Sequence, residues 1–281
     1  MKGVLLVIWF VVSATVPSWA GASEADDRLA SLMAEFWRDE LEASPLLATS
    51  IGALGFDDQL DRVSEAALDA RVQEYGRAVA ALAHINTEEL SDTNRINYQV
   101  LEWILKHERI ILESNWRYVR FTTFSGWHSR FAQVVALTRF QTKQHYRDYL
   151  TRLAQFGRYA DENIALLRRG INLGYVQPCT TLAGYGDSIS GYITSRPEAS
   201  VFVAPLSSDQ ADQQQLEEAK RLVREVINPA LAHYKQFFEE EYQPACRASD
   251  GLADVPGGRA LYADFIRYFT TLDTDADTVH A

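Results

Sequence analysis

The sequence predicts an all-α protein that forms a multi-helix bundle or array. Apolar residues recur three or four positions apart through most of the chain, which is the spacing of one face of an α-helix. Ser residues stand directly before several of these stripes, where a side-chain oxygen can cap free backbone N–H groups. Alternating apolar and polar runs long enough for a β-strand are hard to find. Together these observations favour a helical bundle or array.

Three apolar stripes and one Ser-Pro pair predict the helices of the first half of the chain. The first stripe contains Leu29, Leu32, Met33, Phe36, Trp37 and Leu41. Ser44 and Pro45 follow, and Pro is favoured at the first position of a helix. Ser64 precedes the second stripe, which contains Leu68, Val72, Tyr75, Val79 and Leu82. Ser91 precedes the third, which contains Ile96, Val100, Trp103, Ile104, His107 and Ile111.

The second half of the chain predicts longer helices with interruptions. One stripe contains Tyr146, Tyr149, Leu150, Leu153, Ile164, Leu167 and Ile171, and we expect a bend near Gly157. A second stripe contains Leu216, Leu222, Val223, Val226, Leu231, Tyr234, Phe237 and Phe238. Asn228-Pro229 lies inside it and predicts a stop and restart, because Pro lacks the N–H of a helix interior. Thr274 and Asp277 near the end of the chain have the spacing that opens a further helix.

The first twenty residues have the pattern of a secretory signal peptide. Lys2 gives a short basic start, residues 4–16 are apolar, and Ser18-Trp19-Ala20 supplies small residues at a cleavage site. A transmembrane anchor is the alternative, but a bilayer span needs about 20 apolar residues. We therefore expect residues 1–20 to be removed. This leaves a helical domain over residues 21–281, without a membrane span, in the periplasm or outside the cell.

Charge and cysteine content restrict the partners of such a domain. The formal net charge of −11 disfavours nucleic acid, whose phosphates require a basic surface, and it equally disfavours an anionic membrane.

Export would place Cys179 and Cys246 in an oxidising compartment, where a disulfide between them is possible. Two buried free thiols are the alternative, and the spacing of the two residues leaves both open.

The sequence lacks the local motifs of common hydrolases. A helical zinc protease needs two His residues four apart with Glu beside the first, the HExxH motif. His107-Glu108 begins such a pattern, but Ile111 occupies the position of the second ligand. The stretch GYGDSISG at 184–191 is not the GxSxG motif of a serine hydrolase. We therefore assign no catalytic residue, no metal ligand and no cofactor to this chain.

The segment 113–131 is the best candidate for a binding surface. It mixes aromatic rings with Arg residues and one His, and it has little helical periodicity. Long irregular segments inside a compact domain are often functional. Trp127, His128 and Arg130 follow Gly126, which we expect to let the backbone turn. These three residues are the predicted substrate-binding residues, because Arg and aromatic rings can hold a carboxylate or a ring. The alternative is that the rings fill a core between helices, with the Arg heads at its rim.

Three stretches together resemble the bacterial domain-of-unknown-function family 885. They are SPLLATSIG at 44–52, YRDYLTRLAQFGRYADENIALLRRGINLGYVQP at 146–178 and DVPGGRALYADFIRYFTT at 254–271, followed by Thr278-Val279-His280. The resemblance implies a helical, metallopeptidase-like protein that is exported or lipid-anchored and longer than this chain. It also implies a zinc signature, similar to HExxPGH, in a C-terminal half. No position of this chain matches those ligands. Cys179 departs from the pattern of the family, in which a basic residue is expected after Pro178.

On this resemblance, the chain is expected to be the N-terminal helical portion of an exported zinc-metallopeptidase-like protein and an incomplete domain. Zinc is implied for full-length relatives, and this portion is expected not to be catalytic alone. Its expected partners are a peptide substrate or the C-terminal half. The alternative function is an exported, non-catalytic binding or interaction module. A metal-independent hydrolase that uses His128 or His280 is a third, weaker hypothesis.

Overall fold

The computed structural model describes residues 23–207 and 211–281, and within these ranges the regular structure is helical. The described residues contain no β-sheet, only two isolated bridges. The prediction of an all-α array is therefore confirmed. No helix in the described ranges combines the length and the apolar character that crossing a membrane requires. The predicted signal peptide, residues 1–20, lies outside the described residues.

The helices occur in the order of the predicted stripes, but the described residues contain more helices than the stripes predict. They are α1 (Glu24–Ala43), α2 (Pro45–Ser50), α3 (Glu65–Ala83), α4 (Asp92–Glu113), α5 (Trp127–Val135), α6 (Lys143–Ala154), α7 (Phe156–Leu173), α8 (Tyr185–Ser190), α9 (Gln213–Leu222), α10 (Asn228–Phe237), α11 (Gly258–Thr270) and α12 (Ala276–His280). Two π-helical turns, Val223–Ile227 and Phe238–Tyr242, follow α9 and α10.

Side-chain caps fix the starts of several helices where the sequence predicts them. The Ser64 hydroxyl accepts a hydrogen bond from the Ala67 N–H, and Ser91 does the same for Asn94. Each cap satisfies one of the backbone donors that a helix start leaves free. Ser44 differs, because its side chain caps no backbone group of α2 and instead accepts a hydrogen bond from Arg71. Pro45 alone therefore marks the start of α2.

Two predicted boundaries move by one or two residues, and a third lies where the sequence predicts it. The break between α6 and α7 lies at Gln155 rather than at Gly157. The predicted restart at Asn228-Pro229 is confirmed, because α10 begins at Asn228, but a π-helical turn rather than a loop joins it to α9. The cap of α12 is Asp275, whose carboxylate accepts the Thr278 N–H at 2.8 Å, and not Thr274.

The buried apolar side chains of the described residues form three clusters, of which the smallest contains Tyr175, Val255 and Leu261. In another, α1, α3 and α4 bury Leu29, Tyr75 and Leu105 against one another, and α11 packs on α4. The largest collects apolar side chains of α5 to α10, including Leu153 and Ile164. Burial of apolar side chains of this size is worth about 1.5–3 kcal/mol each, so these cores supply most of the stabilising free energy.

One predicted stripe faces partly outward. In α4, Leu101 and Leu105 are buried, whereas Ile96 is 62% and Val100 is 53% exposed. Val100 borders a groove of about 440 Å³ between α1 and α4, and the ring of Trp37, which is 49% exposed, also lines it. Helical periodicity thus located the helix correctly but did not identify which of its faces is covered.

A covalent bond joins the region after α7 to the region before α11. Cys179 and Cys246 form a disulfide with a Cα–Cα distance of 5.1 Å and a sequence separation of 67 residues. Backbone hydrogen bonds support it, from the Cys179 N–H to the Arg247 carbonyl and from the Arg247 N–H to the Gln177 carbonyl. The alternative of two free thiols does not occur in this structure.

Candidate functional site

A cleft of about 270 Å³ lies against the segment that the sequence singles out. It opens between the loop that precedes α3, the stretch from Trp116 to Gly126, the start of α5 and one residue of α7. The lining residues are Asp61, Trp116, Val119, Arg120, Phe121, Thr122, Ser125, Gly126, Trp127, Arg130 and Tyr159. Trp127 and Arg130, two of the three predicted substrate-binding residues, are among them.

The segment 113–131 is irregular in its centre and helical at both ends. A short 3₁₀ turn covers Asn115–Tyr118, and α5 already begins at Trp127. Between them the chain makes a tight turn, in which the Thr122 N–H donates to the Ser125 carbonyl at 2.8 Å. Phe124 stands at the tip of this turn and is 95% exposed. The expectation of a long irregular segment is therefore correct only for the residues that form the cleft wall.

Gly126 is needed because no side chain would fit at this position, and not because its backbone conformation requires glycine. Its φ of −128° and ψ of 170° are extended backbone that any residue adopts. A Cβ atom at this position would lie 2.1 Å from the Tyr185 hydroxyl oxygen and 2.8 Å from Nδ1 of His128. The close approach of the chain to α8, and not backbone freedom, explains the glycine.

Arg120 provides a fixed cation at the cleft. Its Nε donates to Oδ1 of Asn163 at 3.1 Å, and the Asn163 side chain in turn donates to the Tyr159 carbonyl at 2.8 Å. Asn163 is fully buried, so this anchor is rigid. Burial lowers the pKa of Arg120, and Arg130 acts in the same direction while Asp61 opposes it. The guanidinium still carries its charge at neutral pH, because the pKa of Arg is ordinarily above 12.

Asp61 and Arg130 complete the charged part of the cleft. Burial raises the pKa of Asp61, although the Leu46 N–H, which donates to its Oδ1 at 3.0 Å, and the nearby Arg130 and Arg120 lower it. Arg130 lies at the exposed rim, four residues into α5. Two guanidinium groups and one carboxylate give the cleft a local charge of opposite sign to that of the whole chain.

Trp127 separates the cleft from the core. Its ring is only 4% exposed and packs against Phe156, Tyr159 and Tyr234, with centroid distances of 5.8, 5.6 and 4.5 Å. Because Trp127 is the first residue of α5, the positive end of that helix dipole also lies at the cleft wall. Both alternatives considered for the segment thus hold in part, since Trp127 belongs to the core on one side and lines a cavity on the other.

His128 points away from the cleft and does not line it. Its imidazole is 1% exposed, and its Nε2 lies 3.2 Å from the Ser188 hydroxyl of α8. Burial lowers the pKa of His128 to about 4, so the ring is neutral at pH 7. The structure therefore does not bring His128 together with Trp127 and Arg130 around one cavity.

Arg152, which the sequence analysis did not select, holds the loop that contributes Asp61 to the cleft. Arg152 is 1% exposed, and its guanidinium donates to the Gln59 and Phe56 carbonyls at 2.7 and 2.6 Å and to the Thr49 hydroxyl at 2.8 Å. These bonds hold the loop that ends in Asp61. Neither Arg152 nor Asp61 had a sequence signal, because loops and helices distant in sequence meet here. Arg120 lay inside the candidate segment and could have been chosen.

The described residues do not fit a zinc ion. No group of three or more His, Cys, Asp or Glu side chains in these ranges is arranged to hold a metal. In the one His-Glu pair, the His107 ring is buried against Trp103 with centroids 3.8 Å apart. Glu108 accepts hydrogen bonds from the hydroxyls of Tyr75 and Tyr268 at 2.6 and 3.1 Å. Both side chains are engaged in packing between α3, α4 and α11.

Comparison with solved structures shows that the fold recurs elsewhere. The putative lipoprotein from Colwellia psychrerythraea superimposes with a TM-score of 0.80 over 91% of this chain, at 18% sequence identity. The matched region is 48% of that protein, so the chain spans about half of its length. At this identity the likeness establishes the fold alone. No curated protein matches the sequence.

A family model matches the sequence over residues 45–281, from the first residue of α2 through α12. The match includes every residue that lines the cleft and both cysteines of the disulfide. The family is described as bacterial protein of unknown function. Because the match covers most of the chain, the protein belongs to the DUF885 family.

Proposed function

We propose that this chain is the substrate-binding, N-terminal portion of an exported, metallopeptidase-like protein and that it does not hydrolyse peptides alone. The observation that carries the proposal is the cleft, in which Arg120 and Arg130 line the same cavity as the aromatic residues Trp116, Phe121 and Trp127. The match to about half of a longer structure supports a division of labour between two parts. Export is supported by the signal-peptide pattern of residues 1–20 and by the similarity of the fold to that lipoprotein.

The walls of the cleft suit a peptide better than a compact polar metabolite. Trp116, Val119 and Phe121 offer apolar surface, and Thr122 and Ser125 offer hydroxyl and backbone groups at the mouth. Phe124 beside them is 95% exposed, so its ring is available to contact a bound ligand. Peptides carry apolar side chains, backbone hydrogen-bonding groups and charge on one molecule, and the cleft offers a counterpart for each.

Incubation of the purified chain with a tetrapeptide library, with and without Zn²⁺, tests the proposal. Retained peptides and cleaved peptides are both identified by mass spectrometry. We expect a subset to be retained and none to be cleaved. Robust, chelator-sensitive cleavage would show that the chain is catalytic by itself, and the absence of any retained peptide would show that it is not a peptide-binding portion.

Two Phe→Ala variants make the test specific to the cleft. Phe124→Ala removes the exposed ring of the turn that carries the lining residues Thr122 and Ser125, and it should weaken retention of most peptides. Phe269→Ala removes a ring of α11 that is 76% exposed and does not line the cleft, and it should leave retention unchanged. Equal loss in both variants would indicate nonspecific adhesion to exposed rings.

A second candidate function, a non-catalytic interaction module, is favoured by the groove between α1 and α4. Trp37 and Val100 line this groove and are about half exposed, so it offers apolar surface for another protein. The same retention assay distinguishes the two candidates. Suppose that a double variant, in which Trp37 and Val100 are both replaced by Ser, abolishes peptide retention while Phe124→Ala preserves it. The groove and not the cleft would then be the binding surface.

A further inference from the structure

We infer that the cleft binds the C-terminal carboxylate of a peptide through Arg120 and Arg130, with Asp61 as a nearby charge that limits the affinity. The inference rests on the proposed function, because it specifies which part of a peptide enters the cleft. Three features of the described residues carry it: the free donors of Arg120, the net charge of the cleft, and its size.

Arg120 has donors to spare and a fixed orientation. Its Nε is occupied by Asn163, which is itself held by the Tyr159 carbonyl. Within the described residues, its two Nη groups make no hydrogen bond and no ion pair. A guanidinium fixed at Nε and open at Nη is arranged for charge-assisted hydrogen bonds to a planar anion such as a carboxylate. Burial lowers the pKa of Arg120 because it disfavours the charged guanidinium, and a bound anion would stabilise that charged form.

The charged groups of the cleft suit an anion. Arg120 and Arg130 place two guanidinium groups in the lining and Asp61 places one carboxyl group there, so basic groups outnumber acidic ones. The Arg130 side chain has no partner among the described residues and lies at the rim, where it is free to contact a bound anion.

The size of the cleft fits the end of a peptide rather than its middle. Its volume of about 270 Å³ is slightly below the range of roughly 300–1,000 Å³ that is usual for ligand sites. The apolar walls formed by Trp116, Val119 and Phe121 can cover one side chain beside the carboxylate. The start of α5 at Trp127 adds a positive helix dipole to the same wall. We therefore expect the last side chain of the peptide to be apolar.

Two tetrapeptide libraries that differ only in ending in a carboxylate or in a carboxamide test the inference. Affinities for the folded chain are compared by competition at neutral pH, and folding of each variant is verified by circular dichroism. The carboxylate library should bind about tenfold more tightly, as expected for one charge-assisted contact. Arg130→Gln should remove this preference and leave binding of the carboxamide library unchanged.

Two further variants separate a specific site from general electrostatics. Asp61→Asn keeps an oxygen that can accept the Leu46 N–H but removes the negative charge, so it should raise the affinity for the carboxylate library about fivefold. Arg62→Gln changes the charge next to Asp61 by the same amount as Arg130→Gln, but Arg62 is exposed and does not line the cleft. Arg62→Gln should therefore leave the preference intact.

The outcomes distinguish this inference from the proposed function. Equal binding of the two libraries would overturn the carboxylate site and leave peptide binding in place. Binding of neither library would overturn the proposed function itself. A carboxylate preference that Arg62→Gln removes as fully as Arg130→Gln does would show that the preference comes from long-range charge, and the site would again be overturned.

Discussion

The buried imidazole of His128 should make the stability of this protein sensitive to acid. The ring is 1% exposed, and burial lowers its pKa from the ordinary 6.5 to about 4. In the unfolded chain the same group takes up a proton below about pH 6.5. Its contribution to the free energy of unfolding is therefore fully present above pH 6.5 and is lost as the pH falls through about 4.

The magnitude follows from the size of the pKa change. One pKa unit corresponds to about 1.36 kcal/mol, so a fall from 6.5 to about 4 corresponds to roughly 3 kcal/mol. We expect His128→Gln, which cannot be protonated in this range, to lose less stability than the wild-type protein on acidification. The quantity to compare is the difference in free energy of unfolding between the two proteins, measured by urea denaturation at several pH values.

This difference isolates His128 from other groups that titrate. Burial also raises the pKa of Glu40 and Asp61, but both groups are present in the two proteins and cancel in the comparison. His84→Gln, at an exposed position after α3, is the matched control and should follow the wild-type protein. A difference between wild type and His128→Gln that stays constant within about 0.5 kcal/mol from pH 7 to pH 4 would refute the reasoning.

Two further changes probe the supports of the fold. Replacing Cys179 and Cys246 by Ala should lower the free energy of unfolding by about 4 kcal/mol, because the disulfide restricts a 67-residue segment of the unfolded chain. A loss below about 1 kcal/mol in urea denaturation would contradict this chain-entropy account. Arg152→Met should cost about 3–5 kcal/mol, because it leaves Asp57 and the partly buried carbonyls of Phe56 and Gln59 without the buried guanidinium that contacts them. Arg147→Met, on the exposed face of the same helix, should cost less than about 0.5 kcal/mol, and similar costs for both would indicate that the buried contacts of Arg152 are unimportant.

Local features of the sequence were the most predictive ones. Ser64 and Ser91 cap the helices that they precede, because a cap depends on atoms only three residues away. The apolar spacing located the helices for the same reason. Where a prediction needed the identity of a neighbouring helix it failed, as in α4, whose Ile96 and Val100 are exposed although their spacing resembles that of a buried face.

The candidate site was predictable only in part. Trp127 and Arg130 were chosen from an unusual segment, and both line the cleft. His128 lies between them, but successive helical residues point in directions about 100° apart, so it faces α8 instead. Asp61 comes from a loop distant in sequence, and no motif connects it to the segment that it faces.

The sequence alone therefore determined the helical class, the starts of α2, α3 and α4, the membership of one bacterial family and the segment that carries the cleft. These depend on periodicity, on capping and on similarity along the chain, which are properties of residues close together in sequence. Only the tertiary structure decided that Arg120, Arg130 and Asp61 share one cavity and that His128 does not. Such groupings arise from packing between distant segments, where close contact rather than local spacing fixes which side chains meet.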